Sequence, residues 1–187
     1  MEIRLASVDD IDDIMNVENS AFIAGIREEK SVFLERIKRC PELFLIFQEG
    51  DKVAGYLSAE IMEKIPETAE ELELGHLPVD IHLENNNCTE KQGEGLSQKV
   101  RKAFIYISSF AILPEFRGKG TGRRLWNESI SFLKEHCGIE KFLLLVNEEW
   151  KGAFHIYESS GFRTINRFPG FFVSEEKGRS DGILMSL

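Results

Sequence analysis

The amino-acid sequence predicts an α/β fold built on one mixed sheet. Two observations carry this prediction: short runs of alternating polar and apolar residues meet at a hairpin, and a strand–helix–strand–helix block follows them. The chain has 187 residues, enough for one domain with a substantial core and short of what two full domains usually need. We therefore expect a single domain over residues 1–187.

The chain begins with a predicted strand and two predicted helices. Residues 2–6 alternate in the manner of a strand, and Ser7 with Asp10 forms a capping pattern ahead of apolar residues at helical spacing. A second helix is predicted over residues 31–39. It ends before Pro41, because the residue ahead of a proline disfavours the helical conformation.

A hairpin and then a long acidic segment follow. Strands are predicted over residues 43–48 and 52–59, and the turn residues Glu49-Gly50-Asp51-Lys52 lie between them. Over residues 60–102 the periodicity is lost, and acidic residues dominate the first half. Such long structureless connections usually signal a functional loop or disorder. We interpret this segment as an acidic excursion that either covers the substrate or forms a flexible surface loop.

The second half of the chain alternates strands with helices. A glycine-rich stretch separates its first strand from an amphipathic helix that ends at Cys137, ahead of Gly138. A run with three aromatic residues before the last strand is predicted as a loop. In this half of the chain, strands are predicted over residues 103–113, 141–146 and 182–187. The helix after the amphipathic one is predicted over residues 151–160, and the aromatic loop over residues 167–172.

Charge and cysteine content exclude several classes of protein. A formal net charge of −9 argues against nucleic-acid binding, which needs cations against the phosphates, and is compatible with a cationic substrate. No apolar run approaches the length of a membrane span, and the N-terminus lacks a signal-peptide pattern, so we expect a cytoplasmic protein. Cys40, Cys88 and Cys137 are widely spaced, which predicts reduced thiols and neither a disulfide framework nor a metal site.

The stretch PEFRGKGTGRRLW joins the strand at 103–113 to the following helix. Backbone N–H groups at the start of a helix form an anion site, and glycines let the backbone approach the anion closely. The alternative is a solvated basic turn. The spacing fits neither the Walker loop G-x-x-x-x-G-K-[ST] nor the dinucleotide fingerprint G-x-G-x-x-G. The stretch contributes three glycines and four cations: Gly118, Gly120, Gly122, Arg117, Lys119, Arg123 and Arg124.

Two motifs resemble those of the GCN5-related N-acetyltransferase (GNAT) superfamily. Residues 117–122 match R-x-x-G-x-G, and residues 153–162, after an intervening strand, match A-x-x-x-Y-x-x-x-G-F. The resemblance implies one domain with a mostly antiparallel, twisted sheet flanked by helices on both faces, and acetyl-CoA as co-substrate. Within the superfamily, residues 18–23 (E-x-x-A-F-I) and 40–43 (C-P-E-L) resemble the arylalkylamine N-acetyltransferases.

The resemblance also implies which residues bind CoA. Backbone N–H groups of the glycine-rich stretch would hold the pyrophosphate, and the pantetheine arm would pair with the strand before it. The family often has a CoA-contacting asparagine where this chain has Trp150, and Asn147 is a substitute candidate. The expected CoA-binding residues are Phe110, Ala111, Ile112, Arg117, Gly118, Lys119, Gly120, Thr121, Gly122, Arg123 and Asn147.

Tyr157 is the candidate general acid, since a phenol with a pKa near 10 stays protonated at neutral pH. A core tyrosine on an amphipathic helix is the alternative interpretation. The arylalkylamine enzymes carry two histidines for proton removal, and the matching positions here are Tyr106 and Ser108. The candidates for the general base are therefore Glu18, His76, His82 and, through a water molecule, Ser108.

The sequence is compatible with three functions. The first is an acetyl-CoA-dependent N-acetyltransferase that acts on a small primary amine, with the aromatic residues of 167–172 as an apolar wall and the acidic segment attracting a cation. The second is acetylation of a protein N-terminus or lysine. The third is a CoA-binding module without catalysis. A homodimer is compatible with each of them.

Overall fold

The computed structural model describes residues 1–72, 103–174 and 178–187. Within them, seven strands form one sheet in the order β1-β2-β3-β4-β5-β7-β6, and all neighbours are antiparallel except β4 and β5. This is the mixed, mostly antiparallel sheet that the sequence predicts. The strands are β1 (Glu2–Leu5), β2 (Phe44–Glu49), β3 (Lys52–Met62), β4 (Phe104–Ile112), β5 (Phe142–Asn147), β6 (Arg163–Ser174) and β7 (Gly178–Ser186), and the helices are α1 (Ile11–Ala21), α2 (Lys30–Arg39), α3 (Thr121–Cys137) and α4 (Lys151–Ser159).

The predicted start of the first helix is confirmed in the structure. The Ser7 backbone N–H donates to Asp10 Oδ2 at 2.8 Å, and Arg4 donates to the same carboxylate. A 3-10 turn over Val8–Asp10 leads into α1, whose buried face carries Ile14 and Val17. Local hydrogen bonding at the helix start and apolar spacing along the helix therefore agree with each other.

The helices cover both faces of the sheet. On one face, α1 and α2 pack over Phe44 and Tyr56 with Phe33. On the other face, α3 and α4 bury Trp126 and Tyr157 against the central strands. Two of the three cysteines lie in this second core layer as free, buried thiols, in agreement with the sequence: Cys40 and Cys137.

The predicted loop over residues 167–172 is wrong, because these residues belong to β6. Phe168 pairs with Gly182 and Phe172 with Ser180, so residues 169–171 form a bulge opposite the single residue Asp181. The Gly170 N–H donates to Asp181 Oδ1 at 2.9 Å, which holds the bulge in place. Most β6 side chains are exposed or half-buried, so the strand lacks the alternation that reveals half-buried strands.

The third strand is also longer than predicted. It continues through Glu60 to Met62, so the first residues of the expected acidic excursion are part of the sheet. Beyond it, a 3-10 turn at Glu70–Leu72 packs Leu72 against Tyr106 and Phe168. The rest of the excursion, residues 73–102, lies outside the described residues, as does Cys88.

Candidate active site

The central parallel strands separate partway along their length. β4 pairs with β5 only from Ile105 to Ile107, although both strands continue beyond that point. On its other side β4 pairs with β3, and the register skips Ser108 between Ile107 and Ser109. Ser108 is thus a β-bulge residue at the point where the split begins. The β5-facing backbone of residues 108–112 is free of strand partners in the described part of the chain, so an extended ligand could pair with it.

The glycine-rich stretch closes the end of this split. Gly118, Lys119 and Gly120 have φ of +85°, +50° and +79°, so consecutive N–H groups turn toward one side. Among the described residues, no backbone carbonyl accepts the N–H groups of residues 118, 119, 120, 122 and 123. A Cβ added at Gly118 or Gly120 would meet nothing within 4 Å. The loop therefore presents free donors in open space, as an anion site requires.

Gly122 serves a different purpose from the two glycines before it. A Cβ at this position would lie 3.2 Å from Ile156 Cδ1 and 3.9 Å from Ile112 Cδ1. The missing side chain lets the first turn of α3 approach both α4 and the end of β4. Gly122 thus brings together the anion loop, the split strand and the helix that carries Tyr157.

Cations around the loop have no acidic partners. In the described residues, no carboxylate lies within ion-pair distance of Arg117, Lys119, Arg123, Arg124 or Lys151. Uncompensated positive charge is unexpected in a chain of formal charge −9, and it suits a ligand with several phosphates.

Two of these cations make neutral contacts that fix their side chains. Arg117 Nε donates to the Ile112 carbonyl at 2.7 Å, which ties the loop to the end of β4. Arg123 Nη2 lies 3.2 Å from His155 Nε2, which joins the first turn of α3 to α4.

Tyr157 lies on α4 with its ring in the core. The ring packs on Trp126 with centroids 4.4 Å apart and also faces Phe162. Burial raises the pKa of Tyr157 above the usual value of a phenol, so the hydroxyl stays protonated at neutral pH. It makes no hydrogen bond within the described residues, which leaves it able to donate to a thiolate.

Glu18 lies deep on the opposite face of the sheet. Only 1% of the residue is exposed, and its carboxylate accepts hydrogen bonds from the Tyr56 hydroxyl and, at 2.7 Å, from the Glu28 N–H. Burial raises the pKa of Glu18, although both hydrogen bonds act in the opposite direction. No substrate amine could reach this carboxylate without displacing Tyr56.

Ser108 is engaged by its neighbours. Arg36 Nη1 donates to Ser108 Oγ at 3.2 Å, and Ser108 Oγ lies 3.1 Å from the Ser58 carbonyl. Arg36 also pairs with two buried carboxylates, Glu28 at 3.2 Å and Glu60 at 3.0 Å. The Ser108 hydroxyl thus accepts from a cation and donates to a carbonyl, which leaves it a poor acceptor for an amine proton.

The remaining predicted residues occupy the end of β5 and the connections around it. The Asn147 side-chain oxygen accepts the Glu149 N–H at 2.9 Å and so caps the turn before α4. Trp150 packs between Phe22, at 5.8 Å, and Phe172, at 5.5 Å between ring centroids. An aromatic contact therefore links the end of α1 to β6. His76 and His82 lie outside the described residues.

Sequence reasoning missed the polar cluster between α1, α2 and the sheet. The signal was present: alternate residues Tyr56, Ser58 and Glu60 of a central strand are polar, and all three are buried. Buried polar groups at period two on one face indicate hydrogen bonding among themselves.

A split sheet, a glycine-rich loop after the fourth strand and a buried tyrosine on α4 are the features expected of an acyl-CoA-dependent acetyltransferase. Residues 11–162 match the family model described as "Acetyltransferase (GNAT) family". The chain belongs to this family. It is an N-acetyltransferase with acetyl-CoA as its co-substrate, and the non-catalytic alternative is set aside.

Individual relatives and structural neighbours include several named N-acetyltransferases. An N-alpha-acetyltransferase of Sulfolobus acidocaldarius is 25% identical over 175 residues, which is 94% of this chain and 87% of the relative. The ribosomal-protein-S18-alanine N-acetyltransferase of Escherichia coli has a TM-score of 0.69 at 18% identity, covering 100% of this chain and 92% of that one. Naa50 of Arabidopsis thaliana has a TM-score of 0.68 at 13% identity, covering 100% and 97%.

The comparisons support the superfamily and the fold, and they lend no support to the arylalkylamine subgroup that residues 18–23 and 40–43 suggested. Within the described residues, no helix is long and apolar enough to cross a membrane.

Proposed function

We propose that the protein transfers the acetyl group of acetyl-CoA to the α-amino group of a peptide or protein N-terminus. The observation that carries the proposal is the likeness, over 94% of the chain, to a relative that acetylates α-amines. We further propose that residues 1–187 form one N-acetyltransferase domain, with residues 73–102 as an excursion from it.

The donor half of the proposal rests on the split strand and the glycine-rich loop. Pyrophosphate oxygens would accept the free N–H groups of residues 118–123, with Lys119 and Arg123 nearby. The pantetheine arm would add to the free edge of β4 at Phe110, Ala111 and Ile112, in the manner of an added strand. Thr121 is the first residue of α3, so the positive end of the helix dipole would face the same anion.

The acceptor half rests on an aromatic cluster between the end of α1, the start of α4 and β6. Half-buried aromatic rings of Phe22, Trp150 and Phe172 lie together there, and Ile23 and Val173 are 51% and 52% exposed. An apolar first side chain of a peptide would cover this surface. The same rings would also suit a small aromatic amine, which is the second candidate acceptor.

The reaction needs a proton donor on the donor side. The amine nitrogen attacks the thioester carbonyl carbon, the C–S bond breaks, and the departing thiolate takes a proton. Tyr157 would supply that proton, because its hydroxyl stays protonated and has no competing acceptor in the described residues.

A thiol-release assay separates the candidate acceptors. The parent protein is incubated with acetyl-CoA and with short peptides that begin with Met, Ala or Ser, with the same peptides blocked by N-acetylation, and with arylethylamines and polyamines. We expect free CoA only with unblocked peptides, and mass spectrometry should locate the acetyl group on the α-nitrogen. Turnover with arylethylamines alone would replace the proposal by the second candidate, and modification of lysine in blocked peptides would assign a lysine acceptor.

A further inference from the structure

A chain of hydroxyl groups leads from the split strand to a buried carboxylate. The Tyr56 hydroxyl donates to Glu18, and the Glu28 N–H donates to the other carboxylate oxygen. Tyr56 has no exposed surface, and its ring is held by Phe33 and Phe44 at centroid distances of 5.4 and 5.6 Å. The phenol is therefore fixed in one orientation, with its proton directed at Glu18.

Ser109 connects this pair to the site of reaction. It lies opposite Ser58 in the β3–β4 register, so its side chain is on the same sheet face as Tyr56, and its hydroxyl acts to lower the pKa of the Tyr56 phenol. Ser109 is half-buried, whereas Tyr56 and Glu18 are fully buried. It directly follows the bulge residue Ser108, where β4 and β5 separate. The Ser109 hydroxyl is thus the accessible end of the chain.

Ser108 and Ser109 differ in the groups next to their hydroxyls that could accept a proton. The Ser108 hydroxyl donates to a backbone carbonyl and accepts from Arg36, so a proton passed to it has no basic group to reach. The chain from Ser109 ends on a carboxylate instead. The two adjacent serines therefore have opposite capacities for proton transfer.

We propose that Ser109, Tyr56 and Glu18 form a proton relay that removes the proton of the acceptor ammonium group. This inference rests on the proposed amine acetylation. In the step, the ammonium N–H bond breaks and its proton passes to Ser109 Oγ. The Ser109 proton passes to Tyr56 Oη, and the Tyr56 proton passes to Glu18, which becomes a neutral carboxylic acid. The amine is left neutral with its lone pair free to attack the thioester.

The surroundings of Glu18 suit a proton acceptor. Burial raises the pKa of its carboxyl, which strengthens it as a base relative to an exposed glutamate. The charged groups that face it are Glu28, which raises the pKa further, and Arg27, which lowers it. The pKa of Tyr56 is raised well above its usual range by burial and by Glu18, with Arg36 opposing, so the phenol transmits a proton and does not itself ionise near neutral pH.

Kinetics across pH distinguish a relay from a purely structural role. Tyr56→Phe and Ser109→Ala should each lower kcat about 10-fold at pH 7, where only about a tenth of an α-amine with a pKa of about 8 is neutral, with little change in KM for acetyl-CoA. At pH 9.5 an α-amine, with a pKa of about 8, is already neutral, so both variants should come within a few-fold of the parent. The matched control is Ser129→Ala, because Ser129 is buried in α3 and its hydroxyl has no partner among the described residues. It should behave as the parent at both pH values.

A second measurement needs no acceptor. Infrared titration follows the carbonyl stretch of the protonated Glu18 carboxyl, assigned by its loss in Glu18→Gln. Removing the Tyr56 donor should shift the midpoint upward, and Ser109→Ala should shift it upward by less, because hydrogen bonds in a chain strengthen each other. Ser129→Ala should leave it unchanged.

The outcomes separate the relay from the proposed function. An unshifted midpoint in Ser109→Ala would show that the chain is not connected and would overturn the relay. A kinetic loss that persists undiminished at pH 9.5 would overturn proton transfer while leaving acetylation intact. Absence of turnover by the parent with every amine would overturn the proposed function, and the infrared result would still decide whether the chain exists.

Discussion

Tyr157 lies in the core, and its hydroxyl has no partner in the described residues. Removing the hydroxyl oxygen alone therefore tests its role. Tyr157→Phe keeps the ring contacts with Trp126 and Phe162. We expect kcat to fall about 100-fold or more because the thiolate loses its proton donor. The free energy of unfolding should change by less than about 1 kcal/mol, since no hydrogen bond is lost. Steady-state kinetics measure the expected loss of kcat, and urea unfolding measures the free energy of unfolding. An unchanged kcat would remove Tyr157 from the mechanism.

Asp10 makes the start of α1 sensitive to acid. The hydrogen bond from Arg4 holds the pKa of the Asp10 carboxyl below its usual value, and the Ser7 N–H adds to this effect. A lowered folded-state pKa means that the stabilisation is present above the unfolded-state pKa of about 4 and is lost as pH falls through the folded value.

Asp10→Asn should therefore lower the free energy of unfolding by about 1–2 kcal/mol at pH 7, as expected for losing a capping contact to a charged group. At pH 2 the two proteins should differ less, because the stabilisation by the charged carboxylate is lost as pH falls through the folded-state pKa of Asp10. Urea titrations at the two pH values measure this difference. A penalty of equal size at both would assign the effect to shape instead of charge.

Single residues also show why sequence reasoning reached only half of the site. The glycine loop is a local pattern, so Arg117, Gly120 and Gly122 could be predicted from their spacing. The contact between Glu18 and Tyr56 joins residues 38 positions apart and depends on how α1 packs on β3. No local pattern encodes such a contact, which is why Glu18 was predicted to act directly and Tyr56 was not considered.

Gly120 lies in the connection between β4 and α3, and Gly50 is a matched control for the backbone strain that a substitution at Gly120 would cause. Gly120 and Gly50 both have positive φ, +79° and +58°, and an added Cβ would meet nothing within 4 Å at either position. Both alanine variants should therefore lose a similar amount of stability, about 1 kcal/mol, from the left-handed backbone.

Only Gly120→Ala should raise the KM for acetyl-CoA, by about 10-fold or more, because its methyl group stands where the phosphate would approach the backbone. Gly50→Ala, in the β2–β3 hairpin, should leave the KM unchanged. Thermal unfolding and acetyl-CoA titration at saturating acceptor measure the two effects. Equal KM values in both variants would mean that the loop does not contact the co-substrate.

Elements with strong local signals were predicted well, and those shaped by the sheet were not. α2 and α4 lie within two residues of their predicted bounds, α3 ends at the predicted residue, and the β2–β3 turn lies where it was predicted, because apolar periodicity and turn residues mark them. β6 was missed because Pro169 and Gly170 indicate a turn and its exposed side chains give no alternation. Its pairing with β7 and the anchoring of the bulge by Asp181 are what make it a strand.

At the scale of the whole molecule, charge is divided between the two substrates. Away from the glycine loop, most cations of the described residues pair with carboxylates, as Arg4 does with Asp10, whereas those around the loop do not. On the other side of the sheet, Arg36 pairs with two buried carboxylates, Glu28 and Glu60, and Glu18 is a third buried carboxylate. With the donor and acceptor placed as proposed, positive potential would face the phosphates of the donor and negative potential the amine of the acceptor.

This division of charge predicts that salt raises the KM for acetyl-CoA and leaves the KM for the acceptor unchanged. Raising NaCl from about 0.05 to 0.5 M shortens the Debye length from about 14 to 4 Å, so the KM for acetyl-CoA should rise several-fold as the loop cations are screened. A double variant, Arg123→Gln with Arg124→Gln, should begin at a higher KM and show a flatter dependence. The matched control is Lys52→Gln, which removes an exposed cation at the β2–β3 hairpin and should keep the parental slope. If the double variant kept the parental slope, the affinity for the donor would arise from the backbone N–H groups, and the uncompensated cations would need another explanation.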